Sequence, residues 1–279
     1  MSKQIIDEDG DTSWRNDLGQ LHREDGPAIE CKNGLKCWYF KGLLHREGGP
    51  AYINRKGAFY RAIYDEYSWR EEYFRFDPPL ESWYRHGQLH REDGPAIIMP
   101  NGSKEWFQNG EYHREDGPAV QYANGDREWY IRGKLHRVDG PAKVWENGKC
   151  SEWYYDGKLH REDGPAIEHY GFMEHWYYHG DLHRQNGPAL KDADGNEGWY
   201  IHGDLHRHDG PAEILTNGSS RWFSYGHLHR DNGPAVEMSN GTKKWYQNGK
   251  LHRETGPAVE LANGTNKWYR HGKLIKKSI

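Results

Sequence analysis

Histidine, arginine and two carboxylates fall within the ten residues LHREDGPAIE, from Leu21 to Glu30. A histidine beside an aspartate could serve as an oriented general base. The stretch recurs, however: His-Arg pairs stand at 22–23, 45–46, 90–91, 113–114, 136–137, 160–161, 183–184, 206–207, 229–230 and 252–253. Catalysis needs one base placed in a cleft, whereas even spacing of this kind marks a repeat protein. The aspartate of the motif also varies between copies. It is Asp25, Asp93, Asp116, Asp139, Asp163 and Asp209, but Asn186, Asn232, Thr255 and Gly48 elsewhere. Asn and Thr keep a turn-bracing hydrogen bond while losing the carboxylate, so the position reads as a turn brace and the chain as one without enzymatic activity.

Metal and nucleic-acid chemistry fare no better. A zinc site needs three or four converging ligands. One histidine per unit places neighbouring copies about 10 Å apart across a two-strand repeat, too far to share an ion. His169, His175 and His179 form the single local cluster, around Tyr170-Gly171. No metal and no cofactor is assigned. An arginine ladder interleaved with Trp and Tyr could stack and neutralise a single strand. Against nucleic acid stand a net charge of −4 and the glutamate that follows arginine at Glu24, Glu47, Glu92, Glu115, Glu162 and Glu254. The arginines are expected to be neutralised locally or laid over a neighbouring aromatic ring. The class-distinct alternative is a ladder facing a nucleotide or glycan, carried by His90, Arg91, His113, Arg114, His136, Arg137, His160, Arg161, His183 and Arg184.

The elements that must position these groups follow from the repeat itself. Each unit of 23 residues reads approximately P-A-x4-N-G-x3-W-[YF]-x2-G-x-L-H-R-x-D-G. Alternating runs on either side of Asn33-Gly34, Asn101-Gly102 or Asn240-Gly241 predict hairpins. An Asn-Gly pair suits a type I′ turn, which needs positive φ at both central residues. A second glycine turn follows the aromatic pair, then Leu-His-Arg and the Asp-Gly-Pro corner. Gly and Pro punctuate the chain too often for helices. The expected fold is all-β: an elongated, solenoid-like antiparallel meander of stacked hairpins, roughly 100 Å long at about 4.8 Å per strand. It reads as a single repeat domain over 1–279, with caps at 1–20 and 265–279.

Composition agrees with a thin sheet. Only 34% of the 279 residues are hydrophobic, yet there are 13 Trp and 19 Tyr. With so few aliphatics, the tryptophans are expected to form the buried seam. Cys31, Cys37 and Cys150 show no metal-ligand spacing, which favours free thiols and a reducing compartment. No stretch has signal-peptide or membrane-span character, so the expected location is cytoplasmic, in a host cell if the source is viral.

The pattern W-x3-G-x2-H…G…N-G on a 23-residue period resembles MORN repeats, particularly the variant form of bacterial and viral proteins. The resemblance covers nearly the whole chain. In the common pattern a glycine directly follows the histidine, whereas here Arg-x-Asp intervenes, as in HREDGP. The resemblance implies a binding scaffold for a protein partner, and an antitoxin-like role against a protein target.

The step of 45 residues from His45 to His90 breaks the pattern. Between 52 and 82 Leu-His-Arg and Asp-Gly-Pro-Ala are lost, while Lys56-Gly57 holds a hairpin position. Tyr60, Tyr64, Tyr67, Trp69, Arg70, Tyr73, Phe74 and Phe76 take over, before Pro78-Pro79 restores the register. Two readings stand: a degenerate repeat or insertion covering the sheet, and a partner-recognition patch built from the residue types that dominate interface hot spots.

Overall fold

A computed structural model describes residues 2–54 and 80–278. The chain forms two compact units, Met1–His136 and Arg137–Ile279. Each is an antiparallel meander of β-hairpins.

Every regular repeat contains two hairpins of different character. In the first unit, Ile29–Glu30 pairs with Leu35–Cys37 and belongs to the long ladder of the unit. Tyr39–Phe40 then pairs with Leu43–Leu44 as a separate short hairpin beside it. The second unit repeats the scheme, with Val236–Glu237 against Lys243–Lys244 and Tyr246–Gln247 against Lys250–Leu251. Ladder hairpins join edge to edge through the tryptophan: the Trp38 N–H donates to the Ala51 carbonyl at 2.8 Å, and the Trp245 N–H to Ala258 at 2.8 Å.

The type I′ geometry expected at Asn33-Gly34 lies at the other turn. At Asn33-Gly34 only the glycine takes positive φ, +94°. The Cys31 N–H donates to Leu35 O, the Gly34 N–H to Cys31 O, and Asn33 Oδ1 accepts from the Leu35 N–H at 3.0 Å. This is a three-residue loop ending in a left-handed glycine, with asparagine bracing it by its side chain rather than by its own φ. The pair of positive φ values that defines a type I′ turn sits instead at Lys41-Gly42, +51° and +81°, and at the matching position of every short hairpin.

The core is thin. Ala28, Ala51, Ala96, Ala119, Ala142, Ala166, Ala189, Ala212, Ala235 and Ala258 are completely buried. Ile29, Ile97, Val120, Val236 and Val259, each next to one of these alanines, are buried with them, while Ile167 and Leu190 at the same position are partly buried. The tryptophans, expected as the seam, are only partly buried. Trp14, Trp38, Trp83, Trp106, Trp153, Trp176, Trp199, Trp222 and Trp245 are each covered on one face by an arginine, and Trp145 and Trp268 by a lysine, so a charged side chain does the covering that a scarce aliphatic would otherwise do. All three cysteines are free.

The long step between His45 and His90 resolves as one ladder hairpin. Tyr52 faces Ser82 and Ile53 faces Glu81, the same register in which Ile29 faces Cys37 and Glu30 faces Lys36. The Asn54 N–H donates to Leu80 O at 2.7 Å, matching Cys31 to Leu35. Residues 55–79 therefore stand in the chain where residues 32–34 stand in the preceding repeat.

Candidate functional site

The Leu-His-Arg tripeptide recurs with one geometry, and within each unit it joins one repeat to the next. The Leu89 carbonyl accepts from the Gly110 N–H at 2.8 Å, and the Arg91 N–H donates to the Phe107 carbonyl at 3.1 Å. Between them the His90 Nδ1 accepts from the Asn109 N–H at 3.1 Å. Asn109 and Gly110 are the type I′ pair of the following short hairpin, whose turn leaves both N–H groups pointing out. The same imidazole acceptor serves Lys41 at His22, Arg132 at His113, His179 at His160 and His202 at His183. An Nδ1 that accepts carries no hydrogen, which leaves Nε2 as the ring's donor.

The arginine side chain turns back into its own repeat. The Arg91 Cζ lies 3.9 Å from the Trp83 ring centroid, Nε donates to Asp93 Oδ1 at 2.8 Å, and Nη1 donates to Pro95 O at 3.1 Å. Arg114 lies over Trp106 at 4.1 Å, Arg161 over Trp153 at 4.1 Å and Arg184 over Trp176 at 3.8 Å. Arg137 donates to Asp139 at 2.8 Å, and the His136 N–H donates to Trp129 O. The glycine of Asp-Gly-Pro closes the other side, since a Cβ at Gly94 would stand 2.9 Å from Arg91 Cζ. The sequence expectation of arginine laid on an aromatic ring is met.

The aspartate departs from its expected part. Its carboxylate pairs with the guanidinium, as at Arg23–Asp25 at 2.8 Å, and the hydrogen bond from Arg23 holds the Asp25 carboxyl below its ordinary value. Where Asn232 and Thr255 replace it, Arg230 turns to Glu237 at 3.0 Å and Arg253 to Glu260 at 2.8 Å. The position supplies an anion to an arginine, and a glutamate on the adjacent strand can supply it instead.

The His169, His175 and His179 cluster does not converge. His179 stacks on His160 with centroids 4.3 Å apart, while His169 sits opposite Met173 and His175 opposite Ile167. Among the described residues no group of three or more His, Cys, Asp or Glu is arranged to hold a metal ion. The patch of Tyr60, Tyr64, Tyr67, Trp69, Arg70, Tyr73, Phe74 and Phe76 lies outside the described residues.

Sequence reasoning missed one feature of the second unit. Tyr155, Tyr170, Phe172, Tyr178 and Tyr225 are exposed. Tyr170 and Phe172 stack at 5.9 Å beside an open depression of about 640 Å³ lined also by Lys149, Ser151, Glu168 and Glu174. Tyr178 contacts the rings of His160, His179 and His183. The available signal was the variation between copies: Tyr170 and Tyr225 stand at turn positions held elsewhere by Lys32 and Asn109, and Tyr155 and Tyr178 at a strand position held elsewhere by Arg85 and Gln108.

No known family model matches this chain, and no curated protein matches it. It is a β-hairpin repeat protein. No helix among the described residues is long and apolar enough to cross a membrane.

Proposed function

We propose that the chain is a non-enzymatic scaffold that captures a protein partner in the cytoplasm, through the aromatic and charged segment 55–79. The observation that carries this reading is the Tyr52–Ser82 pairing, which opens one ladder hairpin at its turn without changing its register. A segment placed there is presented by a scaffold whose own motif groups already have partners: imidazole Nδ1, guanidinium and aspartate are committed to the repeat. Its Tyr, Trp and Arg content is that of an interface hot spot. The MORN-like repeat pattern supports a binding role of the antitoxin-like or host-factor-inhibiting kind, in a bacterial or phage setting.

The test is capture from host lysate by the intact chain and by a variant carrying Tyr67→Ala, Trp69→Ala and Tyr73→Ala. Loss of the captured protein, with far-UV spectrum and melting unchanged, is the expected result. Capture that survives the triple substitution overturns the reading.

A second reading, capture of a nucleotide or glycan, is favoured by the exposed Tyr155 and Tyr178 beside His160. It predicts a thermal shift with nucleotides or sugars that Tyr155→Ala together with Tyr178→Ala removes, and no captured protein.

A further inference from the structure

The strand Lys3–Ile6 is the first of the ladder in its unit, and all four of its residues are exposed. Its register with Thr12–Arg15 is that of every later ladder hairpin: Ile5 faces Ser13 as Ile29 faces Cys37, and Asp7 donates to Asp11 O as Cys31 donates to Leu35 O. Ile5 therefore holds the position at which Ile29 is 3% and Val120 2% exposed, yet it is itself 44% exposed. Its neighbour Ile6, on the opposite face, is 64% exposed. What lies beside that position elsewhere is the strand of a preceding repeat, as Ser13 lies beside Ile29, whereas among the described residues Lys3–Ile6 is in register with Thr12–Arg15 alone.

We propose that this edge is completed by the same strand of a second copy, running antiparallel across a twofold axis. Three observations select that occupant. First, the Asp7 N–H points into its own hairpin, so alternation turns the N–H and C=O groups of Gln4 and Ile6 outward. Antiparallel self-pairing must match outward residues with outward residues, and Gln4 opposite Ile6 of the second copy does so. Secondly, that register sets Ile5 against Ile5 on one face and Lys3 of each copy opposite Asp7 of the other, both exposed in the single chain. Thirdly, the twofold arrangement keeps the two faces of the sheet in line, so paired Ile5 side chains continue the apolar row of Ile29 and Ile97. The last strand of the second unit, Lys273–Ser278, carries Lys273, Lys276 and Lys277, and its self-pairing would set like charges together.

Sedimentation velocity on the full chain across a concentration series tests the pairing. The expected result is a reversible shift from 32.7 kDa to twice that mass. Gln4→Pro removes an outward donor without touching the intramolecular ladder, a substitution edge strands accept. Both Gln4→Pro and Ile5→Lys should weaken the dimer about tenfold or more. Lys3→Glu should also weaken it, and adding Asp7→Lys should restore it; unchanged melting of each variant confirms that the fold is intact. Ile275→Lys, in that last strand, should leave association unchanged. A monomer at every concentration overturns the proposal, as does a dimer indifferent to Gln4→Pro and Ile5→Lys, or one abolished by Ile275→Lys.

Discussion

The His160 Nδ1 accepts the backbone N–H of His179 at 3.1 Å, and the two rings stack with centroids 4.3 Å apart. One imidazole thus fastens a repeat to its successor while a second lies against its face. His45 with His86 and His183 with His202 are built alike.

Acid should loosen these joints. Burial, and next the neighbouring imidazole, hold His160, His183 and His45 below their ordinary value; Arg85 adds to this at His45, while Glu162 and Glu47 oppose it at His160 and His45. The unfolded chain then binds more protons than the folded one as pH falls below about 6.5, so their contribution is complete above that value and is lost on descent through the depressed ones. The melting temperature should fall between about pH 7.5 and about pH 5. Replacing His86, His179 and His202 by Asn, the residue that Asn109 and Asn248 place at the same turn position, should flatten that slope. An unchanged slope would show that these pairs are not its source.

The Trp–Arg–Gly sandwich predicts a non-additive cycle. Gly94→Ala drives a methyl into the Arg91 guanidinium and lifts it from Trp83, costing about 1 kcal/mol, on the scale of a half-exposed cation–π contact. Arg91→Ala should cost about the same. In the Arg91→Ala background Gly94→Ala should be nearly neutral, because nothing remains to displace. Denaturant unfolding of the four proteins checks this, and simple additivity would separate the two residues.

Replacing residues 55–79 with Lys-Asn-Gly, the loop found at 32–34, should give a folded protein that melts higher. Closing the longer loop costs about 2 kcal/mol more for a flexible chain. A lower melting temperature would mean that the segment packs on the scaffold and contributes to its stability.

Much of this fold was legible because one chain carries ten copies of its own motif. The period, the hairpins and the arginine on tryptophan could all be read by comparing copies. The turn types could not. Both turns contain glycine, and which residue precedes it does not reveal which of the two must take positive φ. The histidine was equally opaque, because its partner is a backbone N–H that any residue at Lys41, His86 or Asn109 supplies. Asp25 misled for a related reason. Substitution by Asn or Thr resembles a turn residue, whereas the charge it gives Arg23 is restored from another strand, by Glu237 or Glu260, where Asn232 or Thr255 stands in its place.

The Leu-His-Arg joint has a bearing on damage. Each repeat leans on its immediate neighbours through the same few hydrogen bonds, and among the described residues no side chain reaches into a core shared by distant repeats. A cut or a disabling substitution is then a local fault: the repeats on either side of it keep their other joint, and the protein loses one fastening rather than its fold.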